Sequence, residues 1–384
     1  MLTVSSLGNP MPNDYTYNEH HFVPSQPKVC IIGAGPAGFA LAADLKSRGT
    51  DVLIYSHPTH HRQASYVLDK GYLKAKGKIT STATPDVTYD ISEAVSFTKV
   101  IILSVPSTGQ ETILEALKSF DLRGHTIVAI PGNLFSLVPK VGLEVENIFE
   151  TNLSPYSCRM HEGELIVLGK KKLIYIGSLH ANLSTHSQTQ IQHIFPVEVK
   201  WCHNIIEVCL SNINGVFHPL MMLMSAGRIE STAGDFMIYA DGLTQSVANA
   251  MLAVDSVRIA IGAAFGFELK GVVEVSNECY GHDFKDLVDL AQNSGPHNNL
   301  KAPPDMGHRN ISEDVPDLLV CWYGLAEKLG VEASPIKAVI TLVEMATGRD
   351  YMEAGRNMRK LNLEHLSRNE LLDRFGVGKS KLCI

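Results

Sequence analysis

Residues 28–49 read KVCIIGAGPAGFALAADLKSRG, and this stretch decides the fold. Lys28 to Ile32 is a short apolar run of the kind that forms a buried strand. Gly33, Gly35 and Gly38 follow it directly in a G-x-G-x-x-G pattern. Phe39 to Arg48 then place apolar residues at helical spacing until Gly49 stops the run. A phosphate-binding strand–turn–helix needs this order. Gly33 permits the tight turn, Gly35 lets the backbone approach a pyrophosphate, and Gly38 lets the helix lie close on the strand. The helix N-terminus adds N–H groups and a positive dipole end. We therefore expect Gly33, Ala34, Gly35, Pro36, Ala37 and Gly38 to hold a dinucleotide.

Outward from this unit the chain alternates. Strand patterns recur at 51–55, 100–105 and 126–130, with an amphipathic helix near Gln110 to Phe120. Such alternation implies an α/β fold, a Rossmann domain with a doubly wound parallel sheet. From about residue 202 long helical patterns take over. Phe217 to Ile229, Ser246 to Phe267 and Asp317 to Leu329 each read as one helix. Ser334 and Pro335 read as cap and first turn of another, and Ser367 with Glu370 as a capping box. The expected organisation is a flexible leader over residues 1–26, a dinucleotide-binding domain over 27–200 and an all-helical domain over 201–384.

Composition narrows the function. The 384 residues are 45% hydrophobic and 19% charged, as in ordinary globular proteins. A net charge of −7 argues against a nucleic-acid partner. No basic-then-apolar segment suggests a secretory signal, and no apolar run reads as long enough to span a bilayer. The seven cysteines are scattered without a C-x-x-C, which fits a reducing, cytoplasmic setting. No histidine spacing suggests a metal site. A homodimer is compatible with the helical half, though no feature demands it.

The second strand of an NAD site ordinarily ends with an acid that binds the ribose hydroxyls. Here Tyr55 is followed by Ser56, His57, Pro58 and Thr59, then His60, His61 and Arg62. Ser56 could bond a 2′-phosphate and Arg62 could pair with its charge, so NADP is the expected cofactor, with NAD the alternative. Arg62 reads equally as a solvent-facing residue. Pro106 and the segment Pro131, Gly132, Asn133 end strands at the sheet edge where such folds bind ligands. We expect the nicotinamide there, with Asn133 either touching it or the substrate, or serving as a turn residue.

The catalytic candidates lie downstream. Ser211-Asn-Ile-Asn214-Gly-Val-Phe-His218-Pro219 sets two amides and an imidazole on an apolar segment. Asn214 and His218 share a face under helical winding, and Pro219 should disturb the backbone just after. His218 can move a proton near neutral pH while Asn214 orients substrate. Further on, Arg309 offers a fork for a carboxylate and Asp314 could fix the tautomer of His218. Arg309 equally suits a structural ion pair, and Asp314 a helix N-cap.

These residues resemble the opine dehydrogenases: octopine, nopaline and N-carboxyalkyl amino acid dehydrogenases. The likeness runs over about residues 27 to 376. It rests on the glycine loop, Leu153-Ser-Pro155-Tyr-Ser-Cys158-Arg159, the Asn212 to Pro219 element, and Arg309-x-x-x-Glu313-Asp314-Val. The resemblance implies reductive condensation of an amino acid with a 2-oxo acid, often pyruvate, through an imine. It also implies His218 as acid/base, Asp314 as its partner, Arg309 as carboxylate clamp and Asn214 in the pocket. Arginine-using relatives place a glutamate shortly before the Pro-x-x-Cys-Arg segment to bind the guanidinium. Glu150 and Asn152 both lie nearby here. Two other readings share the domain plan: a hydroxy-acid or glycerol phosphate dehydrogenase, and a non-catalytic nucleotide sensor. The former rely on a lysine in the helical domain, and none occurs between Lys200 and Lys270.

Overall fold

The computed structural model describes residues 27–138, 142–179 and 184–377, so the expected leader and Cys383 lie outside the described residues. The strands are β1 (Lys28–Ile32), β2 (Asp51–Tyr55), β3 (Leu73–Gly77), β4 (Ser81–Ala83), β5 (Asp86–Thr88), β6 (Val100–Leu103), β7 (Thr126–Ala129), β8 (Asn147–Thr151), β9 (Tyr156–His161), β10 (Glu164–Lys170), β11 (Leu173–Ser178) and β12 (Glu198–Trp201). Eight form one sheet in the order β12-β11-β8-β7-β6-β1-β2-β5. From β5 to β8 every neighbouring pair is parallel. β11 joins β8 antiparallel and carries β12 parallel at the edge.

Val29 to Ile32 are all buried and alternate between two cores, one on each face of the sheet, as a doubly wound sheet requires. Val29 and Ile31 pack with Phe39 and Leu41 of the helix Pro36–Ser47. Cys30 and Ile32 point the other way, toward Ile113 and Leu114 of the helix Ser107–Leu117. The chain runs from β1 outward through β2 and β5, then returns to place β6 on the other side of β1. That reversal opens a crevice beyond the carboxyl ends of β1 and β6, where this class of sheet binds ligands.

A second sheet, β4-β3-β10-β9, was not expected from the sequence. It packs on the helix Pro36–Ser47. Tyr156 donates to Asp44 Oδ2 at 2.8 Å, and Lys170 Nζ pairs with the same oxygen at 2.6 Å. The nucleotide helix is thereby clamped from behind.

Beyond Trp201 the regular elements among the described residues are helices. Three expectations need correction. The segment read as Phe217 to Ile229 is two helices, Asn214–Met224 and Ala226–Thr232. Pro219 lies inside the first. Ser334 is the first residue of the helix Ser334–Thr347 and not its cap, which falls on Ala333. The box formed by Ser367 and Glu370 is present as expected. Finally, Ile205–Met224 and Gln245–Phe265 are apolar and long enough to cross a membrane, at 83% and 50% buried. Both contribute to the core of the helical half.

Candidate active site

The strand-end loops form one wall of the site. Gly33 has φ of 126°, and a Cβ there would lie 2.2 Å from the Ser104 carbonyl oxygen. A Cβ on Gly38 would lie 2.0 Å from the Gly33 carbonyl oxygen. A Cβ on Gly35 would meet nothing within 4 Å, so open space stands over the helix N-terminus. Gly35 is the N-cap of the helix and Pro36 opens its first turn. Ala34 and Ala37 are half-buried beside them. A pyrophosphate fits this cradle.

At the end of β2 the Ser56 N–H donates to the Thr88 carbonyl at 2.9 Å, while its buried hydroxyl has no partner. Arg62 stands exposed in the first turn of the helix Arg62–Lys70. Pro106 is exposed as N-cap of Ser107–Leu117, beyond β6.

Asn133 follows β7 in left-handed backbone, with φ of 53°. It is buried, and its amide oxygen accepts from Asn212 Nδ2 at 2.8 Å. Asn212 Oδ1 in turn accepts from the Asn214 N–H at 3.1 Å, at the start of the His218 helix. Arg356 makes a second tie. Its Nη1 donates to the Gly132 carbonyl at 2.7 Å and to the Asn133 carbonyl, and its Nη2 to Gln110. Its Nε lies 3.5 Å from Asp317. Buried polar groups need partners. These two residues supply them across the two halves and set the His218 helix over the strand ends. Arg258 steadies the approach, donating to the Leu210 carbonyl at 2.6 Å.

The helix Asn214–Met224 carries Asn214 and His218 one turn apart. Pro219 withholds an N–H from the Gly215 carbonyl. Gly215 allows close packing, because a Cβ there would lie 2.7 Å from the Trp322 ring. His218 Nδ1–H donates to Asp314 Oδ2 at 2.6 Å, with the side chains 22% and 12% exposed. Asp314 precedes a single π-helical turn, Val315–Leu319, and its side chain makes no cap bond. The carboxylate is thus engaged by the imidazole alone of its two expected roles. The geometry leaves Nε2 of His218 as the free nitrogen.

Arg309 lies in the short helix Arg309–Ser312 and donates to Glu313 Oε2 at 3.0 Å. Burial pushes the Glu313 carboxyl up to about 7, against the opposing pull of Arg309. Around the pair, burial pushes His308 down to about 4 and His297 down to about 3, and the charge of His218 adds to both shifts. Arg159 on β9 and Lys171 just after β10 also act on these histidines. The site is therefore rich in cationic groups.

Neither residue considered for a guanidinium is available. Glu150 is fully buried and accepts from the Leu134 and Ser136 N–H groups at 2.8 Å, and from the Ser136 hydroxyl. The Asn152 amide donates to the Ser211 carbonyl at 3.0 Å and accepts from the Tyr175 N–H at 3.0 Å. Arg356, Gln110 and Lys171 carry no signal in the sequence, whereas Asn212 stands inside the His218 element as one of its two amides and holds Asn133 and the helix start.

Both halves of the chain are similar to known proteins. Residues 201–347 match the NAD/NADP octopine/nopaline dehydrogenase, alpha-helical domain, and residues 28–131 match the NADP oxidoreductase coenzyme F420-dependent domain. The Protein ocs of Agrobacterium tumefaciens is 28% identical over 90% of this chain and 98% of its own. The opine dehydrogenase of an Arthrobacter species is 29% identical over 88% and 95%. An octopine dehydrogenase solved with NADH and agmatine shares the fold, with a TM-score of 0.71 at 20% identity over 90% and 98%. In its Rossmann half, its helical half and most of its length the chain is thus similar to the opine (octopine and nopaline) dehydrogenases, NAD(P)-dependent oxidoreductases that act on CH–NH donors.

Proposed function

We propose that this protein condenses the amino group of an amino acid with the carbonyl of a 2-oxo acid such as pyruvate and reduces the resulting imine, or runs the reverse oxidation. The His218–Asp314 pair carries this reading. It stands on the helix that Asn212 and Arg356 fix against the strand ends. The bound nicotinamide supplies a hydride to the imine carbon. As imidazole, His218 takes a proton at Nε2 from the substrate ammonium, which frees the amine to attack the carbonyl carbon. As imidazolium, it returns that proton to the carbinolamine oxygen, which departs as water. Asp314 holds the Nδ1–H and stabilises the charged ring. Arg309 leaves Glu313 to clamp the oxo-acid carboxylate through two N–H groups. Asn214 faces the same pocket and orients the amine. Asn133 acts through Asn212, as a positioning residue.

For the cofactor we propose NADP. The support is the unpartnered, buried Ser56 hydroxyl, the nearby Arg62, and no acid from Tyr55 to Arg62. Gly33 to Gly38 would hold the pyrophosphate, and Pro106 would line the nicotinamide end of the site. The cytoplasm suits six described cysteines that are all free thiols.

The test mixes the protein with NADPH, a 2-oxo acid and an amino-acid panel. Cofactor oxidation should require both substrates. Oxidation with the oxo acid alone would indicate a hydroxy-acid dehydrogenase and overturn the reading. A preference for NADH in the same assay would remove the cofactor proposal.

A further inference from the structure

A cavity of about 50 Å³ lies beside the His218 helix, and the reaction as derived makes no use of its far end. Asn214 and Phe217 line it from that helix, with Tyr239, Tyr280 and His297 from the rest of the helical half. Lys171 enters from the nucleotide half. No aspartate or glutamate lines it, and Lys171 is its one side chain of fixed charge. His297 lines the cavity and feels the charges of both Lys171 and His218.

Lys171 is only 8% exposed. Its Nζ donates to the Ser154 carbonyl at 2.8 Å and sits 5.1 Å from the centre of the Tyr280 ring. Among the described residues no carboxylate pairs with it, whereas the adjacent Lys170 has Asp44. An ammonium has three donors, and a buried cation without a counter-charge is costly. The ring face and one carbonyl answer part of that demand and leave donor capacity toward the cavity. The cavity is small.

We propose that this cavity takes the side chain of the amino-acid substrate and that Lys171 selects a short acidic one, glutamate or aspartate, against cationic ones. This rests on the amino-acid reading of the His218 site. An acidic side chain pairs with the Lys171 ammonium at the cavity end, while Phe217 and Tyr239 cover its methylenes. A guanidinium or a second ammonium meets like charge and no acid.

The experiment offers glutamate, aspartate, methionine, arginine and lysine, with pyruvate and NADPH, to the full chain and to Lys171→Met. We expect kcat/KM for glutamate or aspartate to exceed that for arginine and lysine by about tenfold or more. In Lys171→Met the glutamate-to-methionine ratio should fall by about tenfold or more. Arginine or lysine used as well as the acids, or a ratio unmoved in the variant, overturns the assignment. Should the variant not fold, thermal protection of the wild-type chain by each amino acid in the presence of NADPH decides. Glutamate or aspartate protecting more than arginine supports the assignment, and the reverse order overturns it. That binding readout also separates the two claims. Selective acidic binding without turnover on any 2-oxo acid would contradict the reaction and leave the cavity assignment standing.

Discussion

Replacing Asp314 by asparagine keeps the side chain's shape and removes its charge. The wild-type carboxylate holds His218 Nδ1–H at 2.6 Å in a site where both side chains are largely buried. Two losses follow. A hydrogen bond between charged partners contributes about 1.5–3 kcal/mol, so the imidazolium formed during proton transfer is harder to reach by roughly 10- to 100-fold. The asparagine amide can also donate to Nδ1, which moves the ring proton to Nε2 and leaves the working nitrogen unable to accept. The same exchange in a serine-protease triad costs about 10⁴ in kcat. We expect kcat to fall by about 10² to 10⁴ in Asp314→Asn. NADPH binding should hold, because Asn212 and Arg356, not Asp314, tie the strand-end loops. Steady-state NADPH oxidation and fluorescence titration of the cofactor measure the two. A variant within about threefold of wild type in kcat would refute the reasoning, since even the weaker effect exceeds that.

The glycine loop gives a contrasting pair. Gly38→Ala should lower the melting temperature, because its Cβ would meet the Gly33 carbonyl at 2.0 Å, whereas Gly35→Ala should melt normally and lose NADPH binding, its Cβ entering the open phosphate space. Arg309→Lys should raise KM for the 2-oxo acid by about tenfold while leaving KM for NADPH alone, as a lysine cannot form the two-pronged clamp. Glu313 titrates near 7 in the folded chain, above its usual range. Below that pH it is neutral and releases Arg309; above it the carboxylate competes for the guanidinium. KM for the 2-oxo acid should therefore rise as pH passes upward through 7, and Glu313→Gln should flatten the rise. Stability follows the same sign. The folded value is raised, so the stabilising contribution is complete below the ordinary carboxylate range and lost as pH rises through about 7. Glu313→Gln should then stabilise the protein more on the alkaline side; equal effects on both sides would contradict this.

The parts of this molecule that were legible in the sequence are local ones. The glycine loop works over six residues between a strand and a helix, and its chemistry is set by spacing. Asn214 and His218 are one helical turn apart, so the period alone put them on a face. Where pairing depends on long separations, the signal was absent. β3 and β10 are parallel partners about ninety residues apart, and β3 reads LKAKG with two lysines, which hides a strand. The Asn133–Asn212 and Arg356–Gly132 bonds likewise join residues with no local relation. Pro219 argued for a disturbance just after His218, yet the helix Asn214–Met224 runs on through it, with Gly215 packed against Trp322. The helical half has no lysine between Lys200 and Lys270, and the fold delivers Lys171 to the cavity from the other half.

Mass analysis of the product decides whether the two substrates are joined. With one amino acid, one 2-oxo acid and NADPH, a single secondary amine is expected. Its mass equals the two substrates combined less one oxygen atom, and it is absent with His218→Ala although that variant still binds NADPH. A hydroxy acid as the reduced product, or the same amine formed at wild-type rate by His218→Ala, would contradict it.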